Sequence, residues 1–165
     1  MGDLYRKKIG GTSPEVLVSS NEEKSPLSLS PDGRFLLFRS LGGTTKDKLW
    51  VLPVQGDRKP VPFVRTESDE PDARLSPDGR WVAYVSNESG HYEVYVRPFS
   101  PNAPGQGISD ASGKWLISEH GGSSPMWRRD GKELYYIAEE SASCFWCRRS
   151  RKRRHLRSFL TGRRG

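Results

Sequence analysis

Leu75-Ser76-Pro77-Asp78-Gly79-Arg80-Trp81-Val82-Ala83-Tyr84-Val85-Ser86 couples a turn to an apolar run, and the pair recurs along the chain. The turn Ser76-Pro77-Asp78-Gly79-Arg80 stands 46 residues after Ser30-Pro31-Asp32-Gly33-Arg34 and 52 residues before a degraded copy, Arg128-Arg129-Asp130-Gly131-Lys132. Each copy feeds an apolar run: Phe35-Leu36-Leu37-Phe38, Trp81-Val82-Ala83-Tyr84-Val85 and Leu134-Tyr135-Tyr136-Ile137. A second landmark shares the period, since Asp3-Leu4-Tyr5, Lys48-Leu49-Trp50 and Glu93-Val94-Tyr95 follow one another at 45 residues. Self-similarity at this period marks solenoids, propellers or arrays.

The turn residues have separate physical jobs. Proline presets φ at the second position of a type I turn, aspartate bonds nearby backbone amides, and glycine takes the positive φ that closes a hairpin. One unit then reads as a four-stranded meander, with strands near 24–30, 34–40, 48–54 and 60–66, and again near 70–76, 80–86, 92–97 and 114–118. The second strand of each unit is apolar at both alternating positions, where a sheet with one wet face would alternate. Both faces should be buried, as in a stack of four-stranded sheets around an axis. That is an all-β fold, a β-propeller of four-stranded antiparallel blades.

The stretch Leu75 to Ser86, followed by Glu93-Val94-Tyr95-Val96, resembles the WD-like repeat of the TolB-like propeller family of the bacterial periplasm. Similar repeats occur in the propellers of prolyl oligopeptidase-type peptidases and in the C-terminal propellers of bacterial serine/threonine protein kinases. Gly90-His91-Tyr92-Glu93-Val94-Tyr95-Val96-Arg97-Pro98-Phe99 resembles the kinase-linked group most. The resemblance runs over about residues 3–138 and implies the fold more specifically than any function.

Counting units gives a partial propeller over 1–140. Residues 3–20 supply the last two strands of a blade, two complete blades follow, and 123–138 supply the first two strands of another. Closed propellers have about four to eight blades. The expectation is therefore a fragment of a longer propeller, or a piece that pairs with another copy, with exposed blade edges. The two half-blades could combine into a three-bladed ring, which curvature disfavours.

Charge is segregated. Residues 1–140 carry 18 Lys and Arg against 20 Asp and Glu, while 141–165 carry nine basic residues and no acid, which together give the net +7. The repeat region is nearly neutral, so a nucleic-acid-binding fold is not indicated. The basic tail, 141–165, breaks the repeat where a polar loop and third strand are due, and is expected to be disordered or the product of a shifted reading frame. Read functionally, it is a basic arm for nucleic-acid phosphates or anionic lipid, with Phe145 and Trp146 as anchors. Blocks of like charge are more often solvated. Cys144-x-x-Cys147 has the spacing of a metal or redox pair, but lacks a second pair or a histidine at ligand spacing, as His155 lies eight residues on. Free thiols are the simpler reading.

No catalytic residue, metal site or cofactor is expected, and the binding residues stay open. His91, His120 and His155 fall in loops or the tail. Ser123 and Ser124 follow Gly121-Gly122, but Pro125 stands where a nucleophile elbow needs glycine. The acidic run Glu67-Ser68-Asp69-Glu70-Pro71-Asp72 lacks the glycine-punctuated spacing of a calcium loop and reads as a solvated loop. Asp32, Asp78 and Asp130 read as turn residues, Tyr5, Trp50 and Tyr95 as packing between blades, and Arg128 and Arg129 as flanking a buried Trp127. Asn87-Glu88-Ser89 matches a glycosylation acceptor. The Pro/Gly/Ser-rich insertion 100–113 explains the longer third spacing.

The function expected is a non-catalytic repeat module that binds a protein or ligand. The alternatives are a sensor or scaffold propeller of a serine/threonine kinase, the propeller of an oligopeptidase, and a basic-tailed nucleic-acid binder. Met1 to Lys8 lack a signal peptide's apolar run and no membrane span is present, so the chain as written is expected in the cytoplasm. A TolB-like or kinase-linked parent implies a periplasmic or extracytoplasmic place.

Overall fold

The computed structural model describes residues 2–42, 46–64, 66–100 and 113–138, whose twelve strands form four antiparallel sheets. A two-stranded sheet pairs β1 (Leu4–Arg6) with β2 (Glu15–Val18). The first complete blade holds β3 (Glu23–Leu29), β4 (Phe35–Leu41), β5 (Asp47–Pro53) and β6 (Val61–Pro62) in chain order. The second holds β7 (Ala73–Leu75), β8 (Trp81–Ser86), β9 (Glu93–Pro98) and β10 (Trp115–Leu116). A last pair joins β11 (Gly122–Trp127) to β12 (Leu134–Ala138). Along the chain the sheets therefore hold two, four, four and two strands. Residues 101–112 of the insertion 100–113 and the tail, with Phe145, Trp146, Cys144, Cys147 and His155, lie outside the described residues.

Each turn is built by its own side chains. In the first, Gly33 N–H donates to Ser30 O at 2.8 Å, and Gly33 has φ +71°, a conformation that costs an L side chain energy. Ser30 Oγ donates to Asp32 at 2.6 Å and accepts from Phe35 N–H at 2.9 Å, while Asp32 accepts Arg34 N–H at 3.0 Å. Ser76, Asp78 and Trp81 repeat the pattern, with Trp81 N–H on Ser76 Oγ at 3.0 Å. In the degraded copy Arg128 replaces the serine and pairs with Asp130 instead, yet Lys132 N–H still reaches Asp130 at 3.1 Å. The backbone geometry survives loss of the hydroxyl.

Successive residues of the central strands feed different cores, as a period of two requires. Leu37, Leu49 and Val51 of the first complete blade meet Val82, Tyr84 and Tyr95 of the second. Leu36, Phe38, Trp50 and Leu52 point the other way, onto Leu4, Leu17 and Val18. Likewise Ala83, Val85, Val94 and Val96 turn from the first blade toward Leu134, Tyr136 and Trp127. The first strands also touch: Leu75 N–H donates to Ser28 Oγ at 3.1 Å, and the Trp127 indole N–H to Arg74 O at 3.0 Å. Trp127 is thus tied to the preceding blade and half-buried, rather than the fully buried indole expected between Arg128 and Arg129.

The outer strands are shorter than the sequence suggests. β7 begins only at Ala73 because Pro71 has no N–H and Glu70 N–H donates across to Asp47 O of the preceding blade at 2.8 Å. β6 is limited to two residues between prolines, and β10 to Trp115–Leu116, since Ile117 and Ser118 both donate to Val94 O.

Candidate functional site

The hairpin turns gather at one end of the stack, each against the next. A Cβ built on Gly79 would lie 3.3 Å from Pro31 Cδ, and one on Gly131 would lie 3.8 Å from Pro77 Cδ. Between the first two turns is an open groove of about 240 Å³, whose walls include Asp32, Arg34, Phe35, Asp78 and Phe99. Phe35 and Phe99 meet edge to face at 6.0 Å. The Arg34 guanidinium lies 5.5 Å from the Phe35 ring centroid and 2.7 Å from Asp32. The Ser30 hydroxyl, the Arg34 N–H and the Arg34 side chain hold the exposed Asp32 carboxyl down at about 2. The groove therefore presents a fixed anion beside a cation lying on an aromatic face, a mixed surface suited to recognition.

At the opposite end the repeat places a charged latch between neighbouring blades. Lys24 and Gly122 at the start of first strands, and Glu70 three residues before β7, sit near Asp3, Glu93 and Lys48 at the start of the preceding third strands. Lys24 Nζ is 4.0 Å from Asp3 and donates to Ser20 O at 3.2 Å and Glu22 O at 2.8 Å. One blade on, the signs are exchanged. Lys48 Nζ donates to Thr66 O and Ser68 O, both at 2.6 Å, and its charge acts on Glu70, which accepts the Thr66 hydroxyl. Glu70 is fully buried, its Oε2 has no hydrogen-bond partner, and burial outweighs Thr66 and Lys48 to push its carboxyl up to about 7.

The third latch has no opposing side chain, because its position is Gly122, where a Cβ would fall 2.5 Å from Ser118 Oγ. Glu93 instead accepts from the Ser118 hydroxyl and from Gly121 N–H at 2.9 Å, and meets His91 Nε2 at 2.7 Å. Burial raises the Glu93 carboxyl, but the Ser118, Gly121 and His91 bonds carry it below the ordinary value. Serine, glutamate and histidine meet here in the wrong order for nucleophilic catalysis. His91 contacts the carboxylate and not the hydroxyl, and buried Ser118 is occupied by Val94 N–H at 2.8 Å.

The acidic run 67–72 departs from the solvated loop expected of it. Asp69 accepts Asp47 N–H at 2.5 Å and the Tyr92 hydroxyl, Glu70 is buried, and Asp72 pairs with Arg74. The run is a connector that bolts one blade to the next, with Asp69, Glu70 and Asp72 engaged there while Glu67 stays exposed. Asp32, Asp78 and Asp130 do cap turns. Ser124 is exposed, with φ +53°, and His120 is exposed, with φ +68°; neither contacts the Ser118–Glu93–His91 group. Trp50 stacks on Phe38 with centroids 6.5 Å apart, and Tyr95 on Tyr84 at 5.6 Å, while Tyr5 is exposed, against the packing expected for it. Among the described residues no group of three His, Cys, Asp or Glu side chains could hold a metal ion, and no helix is long and apolar enough to cross a membrane.

The latch escaped the sequence reading. Its signal was present in the repeat, as a charge at the start of each third strand and an opposite charge about 22 residues on in two of the three units.

No protein-family model matches the chain, and no curated protein does. Solved structures do. A protein assigned as TolB from Agrobacterium tumefaciens superposes with a TM-score of 0.68 at 17% identity, over 87% of this chain and 47% of that one. TolB from Acinetobacter baumannii gives 0.63 at 19% identity, over 79% of this chain and 30% of its own. The chain thus spans less than half the length of either structure. Agreement of strand order, blade composition and superposition gives the conclusion that this chain has the TolB-like β-propeller fold.

Proposed function

We propose that the chain is a non-catalytic propeller module that presents a binding surface to a protein partner, as part of a larger ring of blades. The observation behind this reading is the division of labour between the two ends. Ser118, Glu93 and His91 are engaged with one another, and Glu70 and Lys48 are held at the connector between the two complete blades. The turn end leaves Arg34 and Asp32 exposed beside the half-buried Phe35, with Phe99 buried behind it, on a rigid frame. Loops on rigid scaffolds are where binding is placed. A peptide segment with an acidic group for Arg34 and an apolar side chain for the phenylalanines fits that chemistry.

Panning a displayed peptide library on the wild-type protein and on Arg34→Glu in parallel tests this reading. Acid-containing peptides that lose ~10-fold or more in affinity on the charge reversal support it. Peptides held equally by both proteins, or none at all, sink it. Activated ester and peptide substrates should show no turnover, and hydrolysis that disappears in Ser118→Ala would overturn the non-catalytic half.

A further inference from the structure

We infer that two copies of this chain close one six-bladed ring, in which β11 and β12 of one copy and β1 and β2 of the other form a single four-stranded blade. This rests on the reading of the chain as part of a larger ring and names what completes it. In each complete blade the second strand pairs with the third, β4 with β5 and β8 with β9. Among the described residues β12, a second strand, pairs only with β11, and β1, a third strand, pairs only with β2. Each edge has the missing neighbour of the other.

The repeat fixes the register. Phe38 faces Trp50 and Tyr84 faces Tyr95 across their ladders, and both pairs stack. Tyr136 occupies the position of Phe38 and Tyr84, and Tyr5 that of Trp50 and Tyr95. The half-blades therefore hold the two halves of a third aromatic pair, one on each edge. Joining them places Tyr136 opposite Tyr5, Ile137 opposite Leu4 and Ala138 opposite Asp3.

The same junction explains the exposed apolar side chains at both ends. Tyr5 is 58% exposed where Tyr95 is 5%, Ile137 is 59% where Val85 is 2%, and Leu29 is 54% where Leu75 is 8%. In each pair the second residue is covered by a neighbouring strand or blade and the first lacks one. In the ring, Tyr5 joins Tyr136 over the second blade of the other copy, and Ile137 and Leu29, at opposite ends of the next interface, are each covered by the blade facing them. Three blades from each copy make six, inside the range of about four to eight that closes. The arrangement is a closed twofold assembly in which both junctions are identical.

The test uses the full chain. Sedimentation equilibrium should give twice the 18.6 kDa chain mass, and Ile137→Asp should raise the dissociation constant ~10-fold or more while leaving the circular dichroism of the dilute protein unchanged. With Cys144 and Cys147 changed to serine, mixing Tyr5→Cys with Tyr136→Cys should yield a disulfide-linked dimer, and mixing Tyr5→Cys with Tyr135→Cys, one residue out of register, should not. A monomer at every concentration, which would mean that the β12 edge is met within the chain, overturns the inference. So does a larger assembly, or a dimer that cross-links equally in either register. Peptide binding is read separately. A monomer that still binds at Arg34 removes the ring alone, and a dimer that binds nothing removes the binding reading alone.

Discussion

Glu70 shows how a repeat stores a conflict in a single side chain. Its folded carboxyl sits at about 7 against an ordinary 4.5, so between those values the folded chain holds a proton that the unfolded chain has released. Stability from this group is complete below pH 4.5 and is lost as pH rises toward 7, by about 2–3 kcal/mol. Glu70→Gln should flatten that part of the pH–stability profile in chemical denaturation. A variant that keeps the wild-type slope would show that Glu70 is not its source. The neighbouring latch offers a second check, because Asp3–Lys24 carries the opposite polarity to Lys48–Glu70. Lys48→Asp and Glu70→Lys should each destabilise by about 1–3 kcal/mol, while the double exchange recovers at least half of the summed loss. Strict additivity in that cycle would mean that the two residues do not sense each other.

At the scale of the element, the hairpin turn and the two-faced strand carry the fold. Gly33 and Gly79 share a positive φ, but a Cβ on Gly33 enters open space, whereas one on Gly79 presses on Pro31 at 3.3 Å. Gly33→Ala should cost about 1 kcal/mol from the backbone alone, and Gly79→Ala more, because the preceding turn must give way. Equal losses in thermal or chemical denaturation would rule out turn-to-turn packing as a contributor. Leu49 is fully buried between the two complete blades, and Leu49→Ala should cost about 2–5 kcal/mol. The strands flanking Leu49 were legible because branched and aromatic residues fill both alternating positions. β6, β7 and β10 were legible only as places, since their lengths depend on amides that choose a neighbouring blade or loop over their own ladder.

Across the whole molecule, protection should follow how many sides of a blade are covered. β4, β5, β8 and β9 have cores on both faces, while β1, β2 and β12 each leave one open. Native-state hydrogen exchange on dilute protein should find the slowest amides in those four central strands and the fastest in β1, β2 and β12, with the terminal strands gaining protection as concentration rises. Uniform protection across all four sheets at low concentration would contradict a stack whose stability is summed from neighbour to neighbour.

The sequence by itself determined the period, the turn type, the strand order within a blade and the burial of both sheet faces. All of these follow from local rules: proline and glycine dihedrals, aspartate caps and a side-chain period of two. Tertiary structure alone decided the fate of the charges and of the outermost aromatics. Nothing in the run Glu67 to Asp72 distinguishes a solvated loop from a buried connector, because the deciding partners, Asp47 and Lys48 on β5 and Tyr92 just before β9, lie about 20 residues away. Tyr5 holds the repeat position of Tyr95 and differs in having, among the described residues, no second strand paired beside it. Burial belongs to what packs against a residue, and no pattern within a strand records that.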